Sequence, residues 1–121
     1  MQTKILVWAA VSGFCAVALG AFGAHGLKPF LTEHELDIYK TAVNYQMWHT
    51  LLLALMALLP ADKLLSWAAN ALLAGIVLFS GSLYLLAICK VSWLGMITPL
   101  GGLAFLLAWA LLGVAAYRAR T

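Results

Sequence analysis

A chain of 121 residues with 65% hydrophobic and 9% charged residues cannot clothe a soluble domain, whose usual makeup is about 45–50% apolar and about 25% charged. Its net charge of +3 comes from basic residues scattered singly, which excludes the basic stripe that a nucleic-acid partner requires. With a mean hydropathy of +1.01, most of the surface must face lipid, so the bilayer is the first partner the composition implies.

Lys, Arg, Asp and Glu divide the chain into four uncharged runs, at residues 5–27, 41–61, 64–89 and 91–117. Each reaches the ~20 residues needed to cross the hydrocarbon core as a helix. The first resembles a secretory signal, with Lys4 ahead of it and small residues near Ala18. It continues well beyond the ~7–15 residues of a signal core, however, and reads as a retained span. Within it Ala9, Gly13, Ala16, Gly20 and Ala24 recur every three or four residues, a smooth face of the kind that lets helices approach closely in lipid.

The connection that follows carries Glu33, Glu35 and Asp37. Thr32 and Glu35 fit a capping box, in which hydroxyl and carboxylate satisfy reciprocal backbone N–H groups at a helix start. Helix two therefore starts near Glu33 and, if unbroken, runs to Pro60, which ends it; the alternative is a separate interfacial helix before a break, against which stands the lack of Gly or Pro between Thr32 and Pro60. At ~1.5 Å per residue the unbroken helix is about 40 Å long, so its first two turns project into the headgroup region. Span three shows small residues at Ala68, Ala71, Gly75 and Ser82, and span four at Gly101, Gly102, Gly113 and Ala116, with Pro99 near its start. Trp8, Trp48, Trp67, Trp93 and Tyr117 read as interfacial anchors. Cys15 and Cys89 lack any paired spacing and read as small buried hydrophobes.

The short links force antiparallel neighbours. The expected architecture is all-α, an integral membrane four-helix bundle with spans at about 5–27, 41–60, 64–89 and 94–117. Lys4, Lys63, Arg118 and Arg120 would share one side, and Lys28, Lys40 and Lys90 the other. That slight excess predicts both termini cytoplasmic in a multi-pass protein.

On a helical wheel Glu35, Ile38, Ala42, Tyr45, Gln46, His49 and Leu53 share one side of helix two, with Asn44 on a different face. Polar groups at membrane depth turn inward and mark either function or hydrogen bonds between helices. An antiparallel hairpin brings His25 and His49 to the same half of the membrane. Two readings follow. One is a metal or haem site on both histidines, with Cys89 or a loop carboxylate. The other is a structural hydrogen-bond network linking His25, Tyr45, Gln46 and His49. Zinc asks for four ligands, and the two rings differ in level by ~12 Å at ~1.5 Å per residue. Both considerations favour the network and no cofactor.

The run from Gly20 through Gly23, His25 and Gly26 to Leu27, followed by Tyr45, Gln46, Trp48 and His49, resembles the signature of the YgdD/YwdK-type small membrane proteins, a family of unknown function. The resemblance covers essentially the whole chain. It implies a protein of the bacterial inner membrane with no assigned biochemical role, and the residues that match its motif are Gly20, Gly23, His25, Gly26, Tyr45, Gln46 and His49.

No phosphate loop, nucleophile with its base, or pair of carboxylates within a span supports an enzyme. Gly20, Gly23 and Gly26 lie in an apolar helix, where close helix packing explains them better than nucleotide binding. The leading expectation is a noncatalytic bundle that self-associates or joins a larger membrane complex. The alternative is a small-solute or proton transporter in which His49 is the titratable group.

Overall fold

A computed structural model describes residues 2–120, apart from the side chain of Ala24. Among the described residues every regular element is helical. Helix α1 (Thr3–Ala18) continues through a π-helical segment (Leu19–Gly23) into α2 (Ala24–Leu27). The long helix α3 (Glu33–Leu58) follows. A third rod comprises α4 (Lys63–Gly75), a second π-helical segment (Ile76–Gly81) and α5 (Ser82–Cys89), and a 3-10 turn (Ser92–Met96) leads into α6 (Thr98–Arg118). Three helices, Thr3–Gly23, Lys63–Cys89 and Ser92–Arg118, are long and apolar enough to cross a membrane.

The boundaries follow local chemistry. The Thr32 hydroxyl accepts from the Glu35 N–H at 3.1 Å while the Glu35 carboxylate accepts from the Thr32 N–H at 2.9 Å, so the capping box forms as the spacing predicts. Asp62 caps α4 by accepting from the Leu64 N–H at 2.7 Å, and Pro99 occupies the first turn of α6, where a missing N–H costs least.

Neighbouring rods run antiparallel. Gln2 meets Ala57 and Ser12 meets Thr50 across α1 and α3. Glu35 meets Lys90 and Tyr45 meets Phe79 across α3 and the third rod. Ser82 meets Thr98 across that rod and α6. Helix α3 lies between α1 and the third rod, which in turn lies between α3 and α6. The apolar core draws on all of them, through Ala9, Leu53, Met56, Leu72, Phe105 and Ala108 among others.

Glycines set the closest approaches. A Cβ on Gly75 would enter the Phe105 ring, and one on Gly101 would meet the backbone of Phe79. On the first rod, Gly20 faces Val43 at 3.1 Å and Gly23 lies against the Tyr39 hydroxyl. Gly26 and Gly113 face open space, so neither makes a close approach among the described residues: each lies on the exposed side of its rod, turned away from the neighbouring helices. Cys15 and Cys89 are exposed rather than buried, because a lipid-facing surface accepts small apolar side chains as readily as a core does. Trp48 lies in the body of α3 rather than at an end.

Candidate functional site

The polar side of α3 is where chemistry concentrates, and two clusters occupy it. The first centres on the buried Gln46. Its amide oxygen accepts from the Tyr84 hydroxyl at 2.6 Å, and its amide nitrogen donates to the Ser12 carbonyl at 3.0 Å and to the Ser12 hydroxyl at 3.3 Å. Ser12 in turn shares a 2.7 Å hydrogen bond with Thr50. Both ends of the Gln46 amide are therefore engaged, and its orientation is fixed by the Ser12 carbonyl, which can only accept. One side chain thereby joins α1, α3 and α5.

The second cluster centres on His49, which is also buried. The Trp109 indole N–H lies 3.1 Å from Nε2, while Nδ1 lies 2.8 Å from the Tyr45 carbonyl. An indole can only donate, so Nε2 must be the bare nitrogen and Nδ1 must carry the proton it gives to Tyr45. The imidazole is thus neutral with both nitrogens engaged. Its face stacks on Phe105 with centroids 3.7 Å apart and planes at 10°. Tyr45, Trp48, His49, Phe79, Phe105 and Trp109 line a cavity of about 800 Å³ between α3 and α6, floored by the third rod.

Hydroxyls also serve the two π segments, where the wider turn disturbs the usual carbonyl pairing. Tyr39 donates to the Leu19 carbonyl at the start of the first segment. In the second, Ser82 donates to the Phe79 carbonyl at 2.9 Å, and the buried Ser80 donates across to the Ala42 carbonyl at 2.8 Å. At the loop end, Lys90 pairs with the capping carboxylate of Glu35 at 2.6 Å, the one ion pair among the described residues. The Lys90 ammonium and the Thr32 N–H beside Glu35 hold its carboxyl below the ordinary range.

Tyr45 and His49 come together, with rings 5.9 Å apart and nearly parallel, and Gln46 lies one face around in its own network. His25 joins neither cluster. It is exposed, and its Nδ1 bonds the Ala21 carbonyl one turn back at 3.0 Å, so the expected link from His25 to the other three is not made. The hairpin brings the two histidines to one half of the molecule but at different levels. No group of three His, Cys, Asp or Glu side chains that could hold a metal occurs among the described residues.

Ser12, Thr50, Tyr84, Phe105 and Trp109 complete these clusters without having been singled out by the sequence. Trp109 carried the best signal, since a tryptophan in the middle of an apolar run is misplaced for an interfacial anchor.

Residues 19–102 match a family model described as a protein of unknown function (DUF423). The chain is 46% identical over 118 residues to the UPF0382 membrane protein YwdK of Bacillus subtilis (strain 168), with 93% of this chain and 95% of the relative covered. It is 42% identical over 117 residues to the UPF0382 inner membrane protein YgdD of Escherichia coli (strain K12), covering 94% and 89%. A Staphylococcus aureus relative, the UPF0382 membrane protein SAB0533, is 37% identical over 115 residues, covering 93% and 94%. No solved structure matches the chain. The chain belongs to the DUF423 family and is a membrane protein.

Proposed function

We propose that this DUF423 member is a noncatalytic scaffold of the bacterial inner membrane. In this reading it crosses the bilayer four times with both termini cytoplasmic, and it associates through the open face between α3 and α6 with helices of a second copy or a larger membrane complex. The carrying observation is that Ser12, Gln46, Thr50, Ser80 and His49 each bond a different helix from their own. Polar atoms spent on joints hold helices in place, and what remains for contact with others is shape. The cavity of about 800 Å³ beside Trp109 offers that shape, with Trp48, Leu103 and Leu106 exposed along its rim.

A photoreactive residue at Leu106 tests this in native membranes. Crosslinks to the chain itself or to one recurrent membrane protein, lost when Gly102→Trp fills the cavity, are expected. Crosslinks to lipid alone, with a free monomer after mild extraction, would refute association. The presence of His49 in the cavity wall favours the second reading, a transporter with His49 as the titratable group. Proteoliposome flux that is unchanged by His49→Ala would remove that alternative.

A further inference from the structure

The first connection leaves basic side chains unspent at the level of the lipid headgroups. His25, Lys28, Leu36 and Lys40 line a recess of about 200 Å³ between the end of the first rod and the start of α3, and no carboxylate lines it. Of the three acids in this connection, Glu35 is paired with Lys90, and the exposed Glu33 and Asp37 neither line the recess nor pair with a lysine among the described residues. Neither Lys28 nor Lys40 has an ion-pair partner among the described residues, and the His25 ring spends only Nδ1, on the Ala21 carbonyl.

Through Lys40 this recess continues into a second one of about 280 Å³, lined by Gly20, Tyr39, Lys40, Val43 and Asn44. Asn44 lies one helical turn beyond Lys40, about 6 Å further along α3 toward the hydrocarbon. It is exposed, an unusual place for a primary amide at membrane depth, where polar side chains normally face the protein interior. Gly20 lines the second recess, where an added Cβ would meet Val43 at 3.1 Å.

We propose that the two recesses form one site for an anionic glycerophospholipid. The ammonium groups of Lys28 and Lys40 take the phosphate, and the Asn44 amide donates to an acyl ester carbonyl below it. The pattern matches the chemistry of such a lipid in order and depth: a monoanionic phosphate diester at the headgroup level, then acceptor-only carbonyls a few ångströms deeper, then acyl chains along the apolar α1–α3 flank. Basic recesses between membrane helices select anionic over zwitterionic headgroups, because the positive charges lack a counterion of their own.

The test uses the full-length protein in mild detergent, titrated with phosphatidylglycerol, with phosphatidylcholine and with inorganic phosphate, and read by native mass spectrometry and by lysine-labelling footprints. Phosphatidylglycerol is expected to bind at least about tenfold tighter than phosphatidylcholine and to protect Lys28 and Lys40 but not Lys63. Lys28→Gln with Lys40→Gln should weaken it about thirtyfold, about fivefold for each lysine near the surface. Asn44→Leu should weaken the lipid while leaving any response to inorganic phosphate unchanged. The replaced side chains are exposed, and size exclusion with far-ultraviolet circular dichroism verifies the fold of each variant.

Equal loss from the control pair Lys4→Gln and Lys63→Gln, or equal binding of the two lipids, would overturn the site as non-specific surface charge. Displacement of the lipid by inorganic phosphate at matched concentration would overturn the lipid as the ligand.

Discussion

The Gln46–Tyr84 contact carries the sharpest energetic prediction. Tyr84→Phe removes the hydroxyl that donates 2.6 Å to the Gln46 amide oxygen and leaves the ring's edge contact with Tyr39, at 5.4 Å between centroids, in place. Gln46→Leu removes that contact and the two donations to Ser12. Hydrogen bonds between membrane helices average about 0.6 kcal/mol in double-mutant cycles, with a ceiling near about 1.7. Tyr84→Phe should therefore cost roughly 0.6 kcal/mol. Gln46→Leu should cost roughly 1–2 kcal/mol, less than the sum of three bonds because Ser12 keeps Thr50 and its carbonyl remains in the helix. Equilibrium unfolding in mixed micelles, titrated with a denaturing detergent, measures each variant and the double. A coupling between about 0.6 and about 1.7 kcal/mol is expected for a direct bond. Additivity within about 0.3 kcal/mol would mean that the two side chains do not touch, and the network around Gln46 would fall with it.

Glycine substitutions should separate by what the new methyl meets. Gly101→Ala drives it into the Phe79 backbone, which cannot swing aside, so a loss of about 1–3 kcal/mol is expected, against none at Gly113→Ala, which faces open space. Gly23→Ala would press on the Tyr39 hydroxyl, and Tyr39→Phe in the same chain should restore part of the loss, although alone it removes the bond to Leu19. At the loop end, the Glu35 carboxyl is held below its ordinary value of 4.5, so its ionised form is favoured by folding. Its contribution is present above that value and is lost as pH falls through the lower folded value. Melting in detergent should weaken on the acid side of pH 4.5 in the wild type, and Glu35→Gln should flatten that dependence. Lys90 has φ 58°, a left-handed conformation that glycine adopts freely, so Lys90→Gly should be about 1 kcal/mol more stable than Lys90→Ala although both lose the ion pair.

Features that depend on neighbours in the chain were the legible ones. The capping box at Thr32 and Glu35 needs only three residues of spacing, and the inward side of α3 needs only helical periodicity. Gly75 and Gly101 stood out as small residues on regular lines, and they prove to be the sites where backbone meets ring or backbone. Gly26 looked equivalent because the spacing of small residues does not reveal which side of a rod faces a neighbour. His25 was drawn toward His49 by membrane half alone, whereas a hydrogen bond demands equal depth and facing sides. Trp109 and Tyr84 were invisible as partners, since their sequence separations from His49 and Gln46 carry no local pattern. The two π segments were equally hidden, because an added residue per turn is recognised only through what its carbonyls bond.

The least apolar of the long helices occupies the most enclosed position, and the two facts explain each other. Helix α3 is not among the three helices apolar enough to cross by hydropathy, since Asn44, Gln46, His49 and Thr50 interrupt its middle. Yet it buries Tyr39, Gln46, His49, Thr50 and Met56, among others, between its neighbours. Each buried polar group there finds its partner on another helix: Ser12 from α1, Tyr84 from α5 and Trp109 from α6. Alone in hydrocarbon those groups would go unsatisfied at several kcal/mol each. Flanked by α1 and the third rod, they become the bonds that fix the register of helices which lipid gives little other reason to associate. Asn44 is the exception, polar at the same depth but facing outward. Its side chain makes no hydrogen bond among the described residues, and in the proposed site the phospholipid beside Lys40 supplies to it what Ser12, Tyr84 and Trp109 supply within the bundle.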